Sequence, residues 1–371
     1  MSLSTVFEPV QLGPLNAPNR ILRSATWLGL AGSEGEVTDR LLERYAELGR
    51  GGAGIVVTGY AAVSPEGRQN PGMLGVWDDR HVEGLAALAG AIRAGGALAG
   101  IQLVHAGGQT RSGWIGGRSP LAPSFLDHPQ FPEMPRELST AEIGRIVKDF
   151  GAAARRARRA GFDLVQLHAA HGYLLNQFLS PGTNQRRDRY GGSLRARFRF
   201  VQEVVAAVQA EAGPDFPVAV KLNGADFLPG GLEVGEAAVV ASWLGERGVV
   251  FVEVSGGTRA SGPEYGPVRT GIRPGEGEAY FRDLARRIRH AAPCPVAAVG
   301  GLRRVQTLEE MLMMGEADLF ALSRPLIREP GLPARWASGD RSPARCVSCN
   351  RCFEPGRRGE GVYCVAAREE G

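Results

Sequence analysis

Short apolar, β-branched runs alternate along the chain with longer stretches whose apolar positions recur at helical spacing. The strand candidates are 20–25, 54–59, 98–104, 162–168, 218–222, 250–254, 295–299 and 318–322, and helical patterns fall near 38–49, 79–94, 139–159, 195–212, 233–247, 278–291, 304–314 and 325–337. Ser139 with Glu142, and Thr307 with Glu310, have the spacing of a capping box, which satisfies free N–H groups in a first helical turn. The strands read as apolar on both faces, as parallel strands covered by helices are. Eight strands and eight helices in strict alternation predict an α/β chain closed into a (β/α)8 TIM barrel, with an open doubly wound sheet as the alternative. Segment 6–15 predicts a hairpin that plugs the N-terminal end of the barrel.

In such a barrel the chemistry sits where strands end and their following loops begin. The polar strand-end residues are Thr26, Thr58, Gln102 with His105, His168 with His171, Lys221 with Asn223, Ser255, Gly300 with Gly301, and Ser323 with Arg324. Loops 105–138 and 169–193 are long enough to be lids or binding loops.

Composition narrows the classes. The chain has 371 residues, 43% hydrophobic and 22% charged, enough to bury a substantial core. A net charge of +4 is too small at this length for a nucleic-acid surface, and no basic run is interleaved with aromatics. Lys148 and Lys221 are the only lysines among 43 cationic residues, so arginine counts carry little weight while a lysine inside an apolar strand carries more. No window approaches the ~18 to 20 apolar residues of a membrane span. The N-terminal MSLSTVFEPV lacks the basic and apolar regions of a signal peptide. Four of the five cysteines lie in the C-terminal tail rather than spread as staples, which predicts a cytoplasmic protein. The expected division is a barrel over 1–340 and a cysteine-rich tail over 341–371 packed on it.

The most informative stretch is FDLVQLHAAHGYLLNQFLSPGTNQRRDRYGGS, where an apolar strand runs into His168, His171, Gly172 and Tyr173. Two imidazoles can donate hydrogen bonds to a carbonyl or phenolate oxygen and stabilise charge developing on it. A tyrosine of ordinary pKa, about 10, stays protonated at neutral pH and can supply a proton. Metal ligation needs a third ligand, and purely structural histidines are the remaining reading. Gln102, in GIQLVHAGG, offers donor and acceptor to a heteroaromatic edge, or caps a loop. Lys221, in PVAVKLNG, reads as a counter-ion for an anionic cofactor, a Schiff-base amine or half of a structural ion pair. Gly300, Gly301, Ser323 and Arg324 end the last two strands, where such barrels commonly bind phosphate. The GxGxxG match at Gly49–Gly54 follows a helix and leads into a strand, the reverse of a dinucleotide fingerprint. The tail spacing Cys346-x2-Cys349-x2-Cys352-x11-Cys364 suits an iron–sulfur cluster or zinc, and Cys294, between two prolines, reads as core.

Together these residues resemble the old yellow enzyme family of FMN-dependent NAD(P)H oxidoreductases. The resemblance covers 6–340, anchored on LNAPNRILRSAT, GIQLVHAGG, HAAHGYLLNQFLSP with NQRRDRYGGS, GGRSPLAPS, VGGL and LSRPL. It implies FMN across the barrel mouth, with Ser24, Ala25 and Thr26 against the flavin, Gly59 and Gln102 on its ring, and Lys221 near N1 and O2. Gly300, Gly301, Ser323 and Arg324 would hold the phosphate. His168 and His171 would bind the oxygen of an α,β-unsaturated carbonyl substrate, an enone or enoate. Tyr173 would donate the proton after hydride leaves flavin N5, with NAD(P)H as reductant. The family also implies a homo-oligomer. Trp27 falls where relatives often place a Thr or Cys beside the flavin. The tail is similar to the cluster-binding cysteines of the dienoyl-CoA reductase and trimethylamine dehydrogenase branch, with two residues rather than three before Cys352. That implies Cys346, Cys349, Cys352 and Cys364 around a [4Fe-4S] cluster. The alternatives are a flavin/iron–sulfur electron-transfer dehydrogenase and a flavin-free Schiff-base lyase acting through Lys221.

Overall fold

The hairpin strands β1 (Val10–Leu12) and β2 (Leu15–Ala17) precede eight barrel strands: β3 (Ile21–Arg23), β4 (Ile55–Val57), β5 (Leu98–Val104), β6 (Leu164–Ala169), β7 (Val218–Asn223), β8 (Val252–Ser255), β9 (Val296–Val299) and β10 (Leu319–Leu322). Consecutive barrel strands pair in parallel from β3 round to β10, and β10 pairs back onto β3, closing the ring. The chain is a closed (β/α)8 barrel. The computed structural model describes residues 5–370; residues 1–4 and Gly371, the outer ends of the expected barrel unit and tail and the start of the segment read as lacking a leader, lie outside the described residues.

Helices α1 (Asp39–Gly49), α2 (Val82–Ala94), α3 (Thr140–Arg159), α4 (Leu194–Ala212), α5 (Val234–Gly245), α6 (Arg282–Ala291) and α7 (Val305–Met313) follow their strands in turn. The pattern at 325–337 divides into α8 (Arg324–Arg328) and α9 (Leu332–Ala337). Pro330 has no N–H to continue the first helix and pushes Glu329 out of helical backbone geometry. The Ser139 capping box forms in both directions. The one expected at Thr307 does not: α7 starts at Val305, and the Thr307 hydroxyl donates to Glu278 Oε2 at 3.2 Å. Glu278 also accepts from Arg304 at 2.6 Å, and α6 begins only at Arg282.

The hairpin lies slightly later in the chain than 6–15, and Leu12 and Ala17 pack with Leu22, Ile55, Leu164, Phe251 and Leu319 inside the base of the barrel. A larger apolar layer joins the outer faces of the strands, such as Val165, Val220 and Val252, to Phe150, Val204 and Leu244 of the helices. The strands are not apolar on both faces. Gln102, Gln166, Lys221 and Glu253 are buried on the inner face of β5 to β8, where they satisfy one another. The Gly49–Gly54 segment joins α1 to β4, helix before strand. Cys294 is buried in the core. Tail residues contact the barrel at Ala344, whose N–H reaches Arg303 O at 2.8 Å, and at Val362, whose N–H reaches Leu28 O at 2.8 Å. No helix of the described residues is long and apolar enough to cross a membrane.

Candidate active site

A cavity of about 1090 Å³ opens at the C-terminal ends of the barrel strands. Small-molecule sites run to roughly 300–1,000 Å³, so this one has room for a mononucleotide and a second reactant together. Its lining includes Ser24, Ala25, Thr26, His168, His171, Tyr173, Lys221, Gly300, Gly301, Ser323 and Arg324. The strand-end rule therefore brings together residues scattered over 300 positions of sequence.

The imidazole pair is built by the end of β6. Alternation along that strand sends Gln166 and His168 inward while Val165, Leu167 and Ala169 face the helices. The chain then turns sharply, with His171 in the left-handed region at φ 61° and Gly172 at φ 79°. A non-glycine residue there is strained and persists only where its surroundings hold it. Here Asn223 Oδ1 accepts the His171 N–H at 3.1 Å and Asn176 Oδ1 accepts the Gly172 N–H at 2.7 Å. Both asparagines donate to Asp226 Oδ1, at 2.8 and 3.1 Å. The result is a compact cluster, with the His168 ring 5.1 Å from His171 and 4.7 Å from Tyr173, each crossing edge to face.

Electrostatics decide the protonation states. Burial, then competition with a proton on His171 and the nearby Lys221, hold His168 well below the usual imidazole range. Burial and Lys221 do the same to His171. His168 Nδ1 accepts the Ala170 N–H at 3.3 Å, so the neutral ring carries its proton on Nε2 as a donor. His171 Nε2 lies 2.7 Å from Ser255 Oγ. Burial and then Tyr60 hold the Tyr173 phenol well above its usual value, so it keeps its proton. Tyr60 also lines the cavity, 5.7 Å from the Tyr173 ring; burial pushes it up to about 12, against hydrogen bonds from Tyr173 and Asn70.

Lys221 Nζ donates to Glu253 Oε1 at 2.7 Å and to Ser24 Oγ at 2.9 Å. Burial raises the Glu253 carboxyl, but the Lys221 charge and hydrogen bonds from Lys221, Ser24 and Gln166 outweigh it and hold the carboxyl below its usual value. A committed ion pair is a poor Schiff-base nucleophile, so the lyase reading loses its amine. Past the end of β9, Gly300 (φ 110°) and Gly301 (φ 76°) leave no room for a side chain, since a Cβ on either would meet the Tyr280 ring at 2.8 Å. Arg324 Nη1 donates to Arg269 O and Asn350 Oδ1, both at 2.6 Å, and Arg303 donates to Cys346 O and Leu302 O. Both guanidiniums are buried beside the cavity, and among the described residues neither has a carboxylate partner. Buried charge calls for an opposite charge. A phosphate supplies it, and the orphaned Trp27 Nε1 and Gln109 Oε1 on the cavity wall suit a polar heterocycle. The residues present fit FMN.

Not every expected contact is on the wall. Gly59 and Gln102 lie outside the lining: the Gly59 N–H donates to Tyr45 Oη, and Gln102 Nε2 donates to Gln166 Oε1 at 2.7 Å. His105 is buried, driven down to about 4 by desolvation against the opposing charge of Glu66. Sequence reasoning missed Gln166, Glu253, Tyr60 and Arg303. Inward spacing in VQLH and VEVS marks the first two, and position just past a strand end marks the others. Trp27 stands in the wall, packed against Gly29 and Gly356. Cys346, Cys349, Cys352 and Cys364 gather around one small cavity with Arg324 and Arg328, although among the described residues no three His, Cys, Asp or Glu side chains are close enough to hold a metal ion. That also leaves the imidazole pair without a third ligand.

The sequence pattern of the NADH:flavin oxidoreductase / NADH oxidase family matches residues 5–342. A metal reductase of Desulforamulus reducens is 38% identical over 371 residues, 100% of this chain and 54% of that protein. An NADPH dehydrogenase of Geobacillus thermodenitrificans is 36% identical over 331 residues, 89% of this chain and 93% of that one. The structure of a 2-naphthoyl-CoA reductase complexed with 2-naphthoyl-CoA superposes with a TM-score of 0.90 at 26% identity, over 98% of this chain and 56% of that one. The chain spans about half the length of the first relative and of the superposed structure. Sequence match, barrel and cavity agree: the chain belongs to the NADH:flavin oxidoreductase / NADH oxidase family, the FMN-dependent old yellow enzyme family that its motifs resemble.

Proposed function

We propose that the protein reduces the C=C bond of α,β-unsaturated carbonyl compounds at the expense of NAD(P)H. The observation that carries this reading is one cavity lined both by two neutral imidazoles with a protonated phenol and by two uncompensated buried arginines. FMN, when bound, supplies reversible carriage of a hydride between the nicotinamide and an electron-poor carbon. Arg303 and Arg324 would balance its phosphate, and the Lys221 side chain would offset negative charge on its ring. His168 Nε2–H and the His171 ring hold the substrate carbonyl oxygen and polarise the β-carbon. Hydride adds at that carbon, and the Tyr173 phenol gives its proton to the α-carbon; solvent restores the phenol, with Tyr60 beside it.

General acid catalysis is worth about 10²–10⁴-fold. Tyr173→Phe is therefore expected to slow reoxidation of the reduced protein by an enone by that factor while sparing reduction by NAD(P)H. Stopped-flow traces in which both half-reactions match the unaltered protein contradict the role.

A second reading rests on the four tail cysteines, which share Arg324 with the larger cavity. In it, Cys346, Cys349, Cys352 and Cys364 would draw together around an iron–sulfur cluster, which would supply one-electron transfer to a partner, and the protein would be an electron-transfer dehydrogenase. Iron and acid-labile sulfide in anaerobically purified protein favour it, and their loss in Cys349→Ser ties them to the tail. Neither element in the purified protein removes it.

A further inference from the structure

Glu253 touches no cavity surface, yet it is the most heavily bonded carboxylate inside the barrel. It is fully buried, and it accepts Lys221 Nζ at 2.7 Å, Ser24 Oγ at 2.6 Å and Gln166 Nε2 at 2.9 Å. Gln166 cannot turn its amide around, because its Oε1 already accepts Gln102 Nε2 at 2.7 Å. The donors therefore run in one direction, from Gln102 on β5 through Gln166 on β6 to Glu253 on β8. Reversing either amide would leave buried polar groups unsatisfied. The register places Lys221 directly beside Glu253 on one side and His168 on the other. Lys221 has three donor hydrogens; Glu253 and Ser24 take two, and the side chain also lines the cavity.

The cavity therefore meets a cation whose charge is largely balanced from behind. We infer that Glu253 is a positioning residue that pins the Lys221 ammonium at the cavity floor and sets how strongly it stabilises negative charge on the bound flavin. The Gln102–Gln166 relay holds the carboxylate in place for that task. This inference rests on FMN occupying the cavity. Glu253 acts only through Lys221 and meets neither substrate nor cofactor. In the barrel interior, with few polar groups to reorganise, one uncompensated charge has a long reach.

The test is the flavin midpoint potential measured on the holoprotein by anaerobic titration with a reference dye. Glu253→Gln keeps the shape and removes the charge. It is expected to raise the midpoint, shifting the reduction equilibrium at least tenfold toward the reduced form, about 30 mV for a two-electron couple. Glu253→Asp, which restores the charge, is expected to stay nearer the unaltered protein. A flavin-bound Glu253→Gln protein with an unchanged or lower midpoint overturns the inference. If that variant does not fold, Lys221→Met combined with Glu253→Gln removes the pair as a unit, a change buried pairs tolerate. Its midpoint must then lie above that of Lys221→Met alone, which leaves the Glu253 charge unbalanced, and equal midpoints overturn the inference. Failure of the unaltered protein to bind flavin counts against the proposed function instead, so the two failures are distinguishable.

Discussion

His168 and His105 are buried and His171 is half-buried, and all three are pushed below the ordinary imidazole range, His105 to about 4. In the unfolded chain each titrates near 6.5, so below roughly that pH the unfolded state binds protons that the folded state does not. The stability these groups contribute is complete above about pH 6.5 and is lost as the pH falls toward the depressed folded values. Urea unfolding is expected at a lower midpoint near pH 5.5 than near pH 7.5. A protein stabilised by that acidification would contradict imidazoles held neutral in the fold. At this scale the sequence was most readable where chemistry and position coincide. HAAHGY at a strand end reads first as a polar cluster facing a mouth, with metal ligands and structural histidines as the alternatives. Glu253 and Gln166 were hidden because a lone polar residue between valines looks like noise until the closed ring shows that alternate positions point at one another. Arg303 was lost among the many arginines for the same reason that made Lys221 conspicuous.

Elements were legible wherever periodicity was reinforced by local chemistry, as at Ser139 and Glu142, whose capping box opens α3. They were misread where a side chain found a distant partner. Thr307 has the spacing of a cap but bonds Glu278, and no local pattern announces a partner almost a whole βα unit away. The turn after β6 shows the same dependence on distant residues. Its left-handed His171 is held by Asn223 at the end of β7, which also bonds Asp226 and Gly257 O. Asn223→Ala leaves those buried groups unpaired, at about 1–3 kcal/mol each. The expected loss is about 2–4 kcal/mol of unfolding free energy, together with slower oxidation of the reduced protein by an enone. Denaturation curves that coincide with those of the unaltered protein would show that the turn holds itself.

Across the whole molecule, the barrel collects strand ends from every part of the chain, and Phe353, Gly356 and Arg357 of the tail supply part of the same cavity wall. Counting alternating elements was enough to foresee the closed ring, because few architectures bury eight parallel strands. The tail's share in the cavity was not foreseeable, since spacing among cysteines says nothing about where glycines between them pack. A Cβ on Gly356 would lie 2.8 Å from Val362 Cγ2 and 3.0 Å from the Trp27 ring. Gly356→Val is expected to keep flavin while raising KM for bulky enones about tenfold; unchanged kinetics would place the tail outside the reaction chamber. The central claim, a flavin cavity that takes hydride from NAD(P)H and delivers it to an oxygen-anchored alkene, is tested most directly by anaerobic visible spectroscopy of the purified protein. The account predicts flavin bands that bleach on adding NAD(P)H and return on adding 2-cyclohexenone. A colourless protein, or bands that bleach and stay bleached with every enone offered, would contradict it.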